Sequence, residues 1–183
     1  KELRRNNATS FNFEPGSIMK AMIFSLGLND NIFKTNSIFD CRPRLFYGRP
    51  LSDHVNAEET FATAIAKSSN RASSLIAMAS TKERMELYLR AYGIGEKTGI
   101  IKTGEEKGII TSHKKWSNLQ HIRIAIGQGI SVTPIQMIGM YSTIANGGIR
   151  MKPYLVREIH SPTGEVILKN EPKPIGRVIS KET

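Results

Sequence analysis

The stretch Glu14-Pro15-Gly16-Ser17-Ile18-Met19-Lys20-Ala21-Met22-Ile23-Phe24-Ser25-Leu26-Gly27-Leu28 decides how the rest of the chain is read. From Ile18 to Leu28 the residues are apolar on nearly every helical face, and a helix that is apolar all round is a buried helix. Ser17 and Lys20 therefore stand at the head of an element that otherwise avoids water. Positions three apart share a helix face and side chains lean toward the N-terminus, so the spacing lets Lys20 reach back to the Ser17 hydroxyl. Such a pair has the make-up of a serine nucleophile and a lysine base. A plainer reading also fits this stretch, with Ser17 as a helix cap and Lys20 snorkelling to solvent.

The spacing alone is weak. With 16 serines and 14 lysines in 183 residues, chance supplies about one Ser-Xaa-Xaa-Lys. A second copy, Ser112-His113-Lys114-Lys115, lies in polar surroundings with no apolar helix behind it and reads as accidental.

The composition is 39% hydrophobic and 23% charged, which is ordinary for one globular core. No stretch is apolar for long enough to cross a bilayer, and Lys1 to Asn7 lacks the apolar centre of a signal peptide. The sequence does not begin with Met and reads as a piece of a longer protein. A single cysteine, Cys41, excludes an internal disulfide and a multi-cysteine metal site, and reads as a small buried residue or an inert loop thiol. The net charge of +10 is dispersed among acidic residues, with small clusters only at Arg4-Arg5, Arg42-Pro43-Arg44 and Lys114-Lys115. That pattern describes a solvated surface better than a nucleic-acid interface. His54, His113, His121 and His160 are scattered without ligand spacing, so neither a metal nor a cofactor is expected.

The segment up to Phe13 reads as a loop, and Gly27 with Asn29-Asp30-Asn31 ends the apolar helix. Short strands are expected around Ile38-Phe39, Arg44 to Tyr47 and Leu51. Asn56 with Glu59 spells a capping box ahead of a helix carrying Phe61, Ala62, Ile65 and Ala66. Asp53 and Glu58-Glu59 read as loop and helix-start residues. Ser68-Ser69-Asn70 interrupts two helical stretches with residues that prefer caps, and an apolar helix resumes from Ala72 to Ala79. Ser80 with Glu83 predicts another cap, ahead of a stripe of Met85, Leu87, Tyr88 and Leu89 ended by Tyr92-Gly93. Gly93 to Gly108 predicts an irregular loop with one small strand at Ile100-Ile101. Trp116 reads as a packing anchor. Thr133-Pro134 opens a helix that runs to Ala145, and Tyr154 to Leu168 reads as a β-hairpin turning at Ser161-Pro162-Thr163-Gly164.

Glu14-Pro15-Gly16-Ser17-Ile18-Met19-Lys20 closely resembles the active-site segment of penicillin-binding proteins, and Ser68-Ser69-Asn70 matches that family's second motif, Ser-Xaa-Asn, in the right order. The resemblance continues through Tyr92-Gly93-Ile94-Gly95, Trp116-Ser117-Asn118-Leu119, Ile126 to Gln136 and Ala145-Asn146-Gly147-Gly148, so it covers most of the chain. The Trp-Ser and Gly-Gln-Gly stretches look most like the monofunctional class B enzymes, and more like the septal division type than the elongation type.

The family's third motif is Lys-Thr-Gly or Lys-Ser-Gly. Both Lys97-Thr98-Gly99 and Lys102-Thr103-Gly104 spell it. In the family this motif lies on a strand bordering the site, after the Gly-Gln-Gly and Asn-Gly-Gly segments. The two copies here precede both segments in a glycine-broken loop and are read as decoys. The expectation is a partial transpeptidase domain over residues 1–183, without its third motif and weak or inactive alone.

The resemblance implies an incomplete α+β fold of the penicillin-binding transpeptidase and serine β-lactamase type, mainly helical with a late β-hairpin. It further implies a D,D-transpeptidase that acts on peptidoglycan stem peptides and is acylated by β-lactams. In that reading Ser17 is the nucleophile, Lys20 its base, Ser68 a proton relay, and Asn70 a holder of the substrate amide and the lysine. Glu14 and Gly16 shape the turn, and Gln128 could approach the site through its backbone. The implied location is the outer face of the cytoplasmic membrane, through an N-terminal anchor outside this sequence, with divisome or elongation membrane proteins as partners. A β-lactamase or β-lactam sensor of the same fold is the near alternative. A basic, non-catalytic module for an anionic polymer is the alternative from another class, motivated only by charge.

Overall fold

The computed structural model describes residues 5–183, so Arg4 of the Arg4-Arg5 cluster lies outside the described residues. The chain begins with a short helix, α1 (Asn7–Ser10), where a loop was expected; the Asn6 side chain caps it by accepting the Ala8 N–H. A 3-10 turn (Gly16–Met19) leads into α2 (Lys20–Asn29), and α2 buries every residue from Met22 to Gly27 as well as Lys20. The all-round apolar pattern thus gives a central helix. Gly27 is not its stop. A Cβ there would lie 3.1 Å from Ile76 Cγ2, so Gly27 lets a neighbouring helix pack closely.

Strand β1 (Ile38–Asp40) pairs antiparallel with β4 (Glu58–Thr60), and β2 (Leu45–Phe46) with β3 (Arg49–Pro50). The Asn56-Glu59 capping box is therefore overturned. Those residues lead into and form β4, and the cap of α3 (Phe61–Ala66) is Thr60, which accepts the Thr63 N–H. Within α3, Phe61 and Ala64 face inward, while Ala62, Ile65 and Ala66 do not. Two α-helices follow, α4 (Asn70–Ala79) and α5 (Lys82–Ala91); α5 is capped by Thr81 in place of Ser80, and Leu87 points to solvent. Phe24 meets Phe39 and Phe61 edge-on at centroid separations of 6.0 and 5.0 Å, which ties α2 to β1 and α3. At its far end α2 is held by Asp30, whose two oxygens accept from the Arg84 guanidinium at 2.6 and 2.7 Å.

Gly93 to Gly108 is irregular as expected, without a strand at Ile100-Ile101; Ile109 then bridges to Ser131, and a 3-10 turn (His113–Lys115) leads to Trp116. Trp116 is buried and donates its ring N–H to Thr111, as a packing anchor should. Ser117 caps α6 (Asn118–Ala125), which packs on α4. Helix α7 (Pro134–Ala145) has the predicted bounds. Strand β5 (Ile149–Met151) pairs with β8 (Pro174–Arg177), and β6 (Glu158–His160) with β7 (Val166–Lys169), the expected hairpin. The architecture is α+β, with helices around α2 and small antiparallel strand pairs at the margins.

Candidate functional site

The site is assembled where the head of α2 meets the turn between α3 and α4. Gly16, at φ +58, bends the chain into the 3-10 turn, and the Lys20 backbone N–H donates to the Ser17 carbonyl. Ser17 is exposed. Lys20 is only 3% exposed, so its stem runs into the interior. The lysine does not return to Ser17, as the spacing suggested. Its ammonium donates to Ser68, to the hydroxyl Oγ at 2.9 Å and to the carbonyl oxygen as well. Burial pushes the Lys20 pKa below the ordinary lysine value, and the Asp53 charge pulls part of the way back.

Ser68 adopts φ +55, a left-handed conformation that is uncommon for a non-glycine residue. The turn is fixed on both sides. The Ser68 N–H donates to Ile65 O and the Ser69 N–H to Ala64 O, while Ser69 Oγ caps α4 by accepting the Ala72 N–H at 3.0 Å. Asn70 does not hold the lysine. Its Nδ2 donates to Ser52 O at 2.8 Å, and the side chain lines a groove of about 220 Å³ with Leu51, Arg123, Ile126 and Gln128. An adjoining depression of about 480 Å³ shares Leu119, Arg123 and Gln128 with it and reaches Glu14. Gln128 thus faces this groove.

The Gly-Gln-Gly segment is stapled to the Gly16-Ser17 turn. The Gly16 N–H donates to Gly127 O at 2.9 Å, the Gly129 N–H donates to Glu14 Oε1 at 2.9 Å, and Phe13 bridges to Val132. A Cβ on Gly127 would lie 1.9 Å from Gly16 O, so only glycine fits. Tyr141 of α7 donates its hydroxyl to Ile18 O. Glu14 and Gly16 do shape the turn.

The two Lys-Thr-Gly copies are on no strand. Glu105, a buried carboxylate, accepts from the Thr98 N–H, the Thr98 hydroxyl and the Gly99 N–H, and so folds the first copy on itself. Residues 2–183 match the profile of the penicillin binding protein transpeptidase domain. The chain belongs to that family.

Its relatives make it a class B penicillin-binding protein transpeptidase domain. Penicillin-binding protein PbpB of Mycolicibacterium smegmatis is 31% identical over 97% of this chain and 28% of its own length. Peptidoglycan D,D-transpeptidase FtsI of Escherichia coli K12 is 29% identical over 88% of this chain and 28% of its own. Penicillin binding protein 3 from Mycobacterium tuberculosis, complexed with ampicillin, superposes with a TM-score of 0.89 at 30% identity, covering 97% of this chain and 40% of that one. The chain therefore spans a little over a quarter of the length of these curated relatives.

Sequence reasoning named Ser17, Lys20, Ser68 and Asn70 but passed over Asp53 and Arg71. Asp53 accepts from Ser69 and from the Arg71 backbone, across 16 and 18 residues of sequence, so no local spacing announces it. A signal existed in Arg71, a cation on an otherwise small and apolar helix.

Proposed function

We propose that this chain carries the nucleophile half of a peptidoglycan D,D-transpeptidase that works through a serine acyl-enzyme. One observation carries the reading. A buried lysine at the head of a buried helix meets both oxygens of Ser68, one turn from an exposed serine. Burial lowers the Lys20 pKa, which favours the neutral amine that a base requires.

Ser17 Oγ attacks the carbonyl carbon of the D-Ala-D-Ala bond and passes its proton to Lys20. The oxyanion forms beside the first turn of the helix, where backbone N–H groups lack intrahelical partners, and the Ser17 N–H is one donor. Collapse breaks the C–N bond, and the departing amine takes the proton from Lys20 through the Ser68 hydroxyl. An amine of a neighbouring stem peptide then attacks the ester, releasing Ser17 and forming the cross-link. A β-lactam carbonyl is attacked in the same way, but its amine stays tethered, so the ester persists. Asn70, anchored to Ser52, presents its remaining amide groups to a substrate amide along the Gln128 groove.

Residues 1–183 are proposed as a partial domain, with its third-motif strand supplied from outside them. The septal division role, the divisome partners and the membrane-anchored location outside the cytoplasm are part of the same proposal. They are supported by likeness to proteins named FtsI and PbpB. Among the described residues no helix is long and apolar enough to cross a membrane.

The test is covalent labelling of the full-length protein with a fluorescent penicillin, followed by peptide mapping. Label on the peptide bearing Ser17, lost in Ser17→Ala, is expected. Labelling that survives Ser17→Ala, or none in the unaltered protein, overturns the reading.

A further inference from the structure

We propose that Asp53 is a positioning residue of the acylation site, holding the Ser68–Asn70 turn so that Ser68 presents its hydroxyl and carbonyl oxygens to Lys20. The inference rests on the acyl-enzyme reading above and assigns Asp53 a part in it.

The left-handed backbone at Ser68 is disfavoured for a residue with a Cβ, so the surrounding structure must over-determine it. Asp53 does much of this. Its Oδ2 accepts from the Ser69 hydroxyl and from the Arg71 backbone N–H, each at 2.7 Å, and its Oδ1 accepts from the Val55 N–H at 3.1 Å. Three donors therefore fix the plane of the carboxylate, one from the turn itself and one from the first turn of α4 that follows it. The return path is equally built. The Arg71 guanidinium, buried, donates to Leu51 O, Val55 O, Asn56 Oδ1 and Cys41 O at 2.8 to 3.0 Å, and Asn70 donates to Ser52 O. Residues 51–56 and 68–71 close into one hydrogen-bonded ring with Asp53 at its centre.

The ring also sets the electrostatics. Among residues 51–56 and 68–71 the ionisable side chains are Asp53, Arg71 and the exposed His54, and against them lie Lys20 and Cys41, whose thiol burial keeps neutral. The Arg71 guanidinium donates to neutral oxygens, so the Asp53 carboxylate is the negative charge that acts on Lys20 and raises its pKa against the effect of burial. A neutral residue at 53 would release that restraint. Position and charge are thus joined in one side chain.

The two roles separate in the pH dependence of acylation by a fluorescent penicillin, measured on the full-length protein. Ser69→Ala removes one bond to the turn and keeps the charge. It is expected to lower the plateau rate about tenfold with an unmoved pH midpoint. Asp53→Asn is expected to lower the plateau about 10- to 100-fold and to move the rising limb to lower pH, because Lys20 loses the charge that raises its pKa. A purely structural role would lower the folded fraction without moving the midpoint. If Asp53→Asn is folded and keeps the unaltered plateau and midpoint, the inference fails while the acyl-enzyme reading stands. If Asp53→Asn does not fold, Ser69→Ala decides, and an unchanged plateau overturns the proposal. Absence of labelling in the unaltered protein overturns both readings together.

Discussion

Lys20 and Lys97 each stand in a sequence that spells a motif of the penicillin-binding family, and the chain treats them in opposite ways. At Lys20 the side chain is drawn into the core and meets Ser68, brought 48 residues along the chain to receive it. At Lys97 the following Thr98 and Gly99 spend their donors on Glu105, seven and six residues away. Gln136 holds the same loop from inside by donating to Glu96 O and Lys107 O, each at 2.8 Å. The first motif is completed by a partner 48 residues away, whereas the Thr98 and Gly99 donors of the second spelling are taken up by a carboxylate seven and six residues on. A three-residue spelling therefore says little until its donors are traced to their partners.

Four measurements break or sharpen this contrast. Lys20→Ala is expected to slow acylation by about 10³-fold or more, in the range of a lost general base, while Lys97→Ala and Lys102→Ala leave the rate near that of the unaltered protein. Comparable losses at Lys97 would identify it as functional. The glycines extend the comparison to the backbone. Gly127 and Gly104 have nearly the same φ, +76 and +78, but a Cβ meets Gly16 O at 1.9 Å in the first case and open space in the second. Gly127→Ala is expected to cost more than about 3 kcal/mol in urea unfolding, and Gly104→Ala about 1 kcal/mol. Equal costs would show that the staple to Gly16 adds nothing.

Among the described residues burial lowers the pKa of Lys20 and of His121, with different consequences. His121 on α6 is buried against Trp116, and burial, followed by the Lys82 charge, pushes its pKa down from 6.5 to about 4. The unfolded chain takes up the proton below pH 6.5 while the folded chain stays neutral to about pH 4, so stability falls as pH drops through that window. The loss is about 3 kcal/mol by pH 4, and His121→Phe should remove it from the urea midpoints without altering the acylation profile. Lys20 acts in the same direction but on the rate, its lowered pKa placing the rise of acylation with pH below the ordinary lysine value. The smallest effect is expected at Glu105. Glu105→Gln puts an amide N–H against the donors of Thr98 and Gly99 at a buried side chain and should cost about 1 to 3 kcal/mol of stability, with acylation per folded molecule unchanged.

Much of the fold was legible because its signals were local. The all-apolar run after Ser17 gave a central helix, Thr133-Pro134 gave the start of α7, and the Ser161 to Gly164 turn gave its hairpin. Errors arose where a local pattern met a tertiary competitor. Asn56 and Glu59 spell a cap, yet Glu59 pairs opposite Phe39 in a strand, and Asn56 gives its side-chain oxygen to Arg71. Gly27 reads as a helix stop but serves contact with Ile76, which no nearby residue reveals.

The sequence by itself determined the Pro15-Gly16-Ser17 turn, the buried helix behind it, and the order of Ser17-Lys20 before Ser68-Asn70. Those are properties of spacing and of apolar periodicity, which a single strand of text carries in full. Only the tertiary structure decided which serine Lys20 meets, that Asn70 is anchored to Ser52, and that Asp53 sits at the centre of the turn. The physical reason is that hydrogen-bond partners are chosen among all donors and acceptors that packing brings within about 3 Å, and packing joins residues whose separation along the chain carries no trace of the meeting.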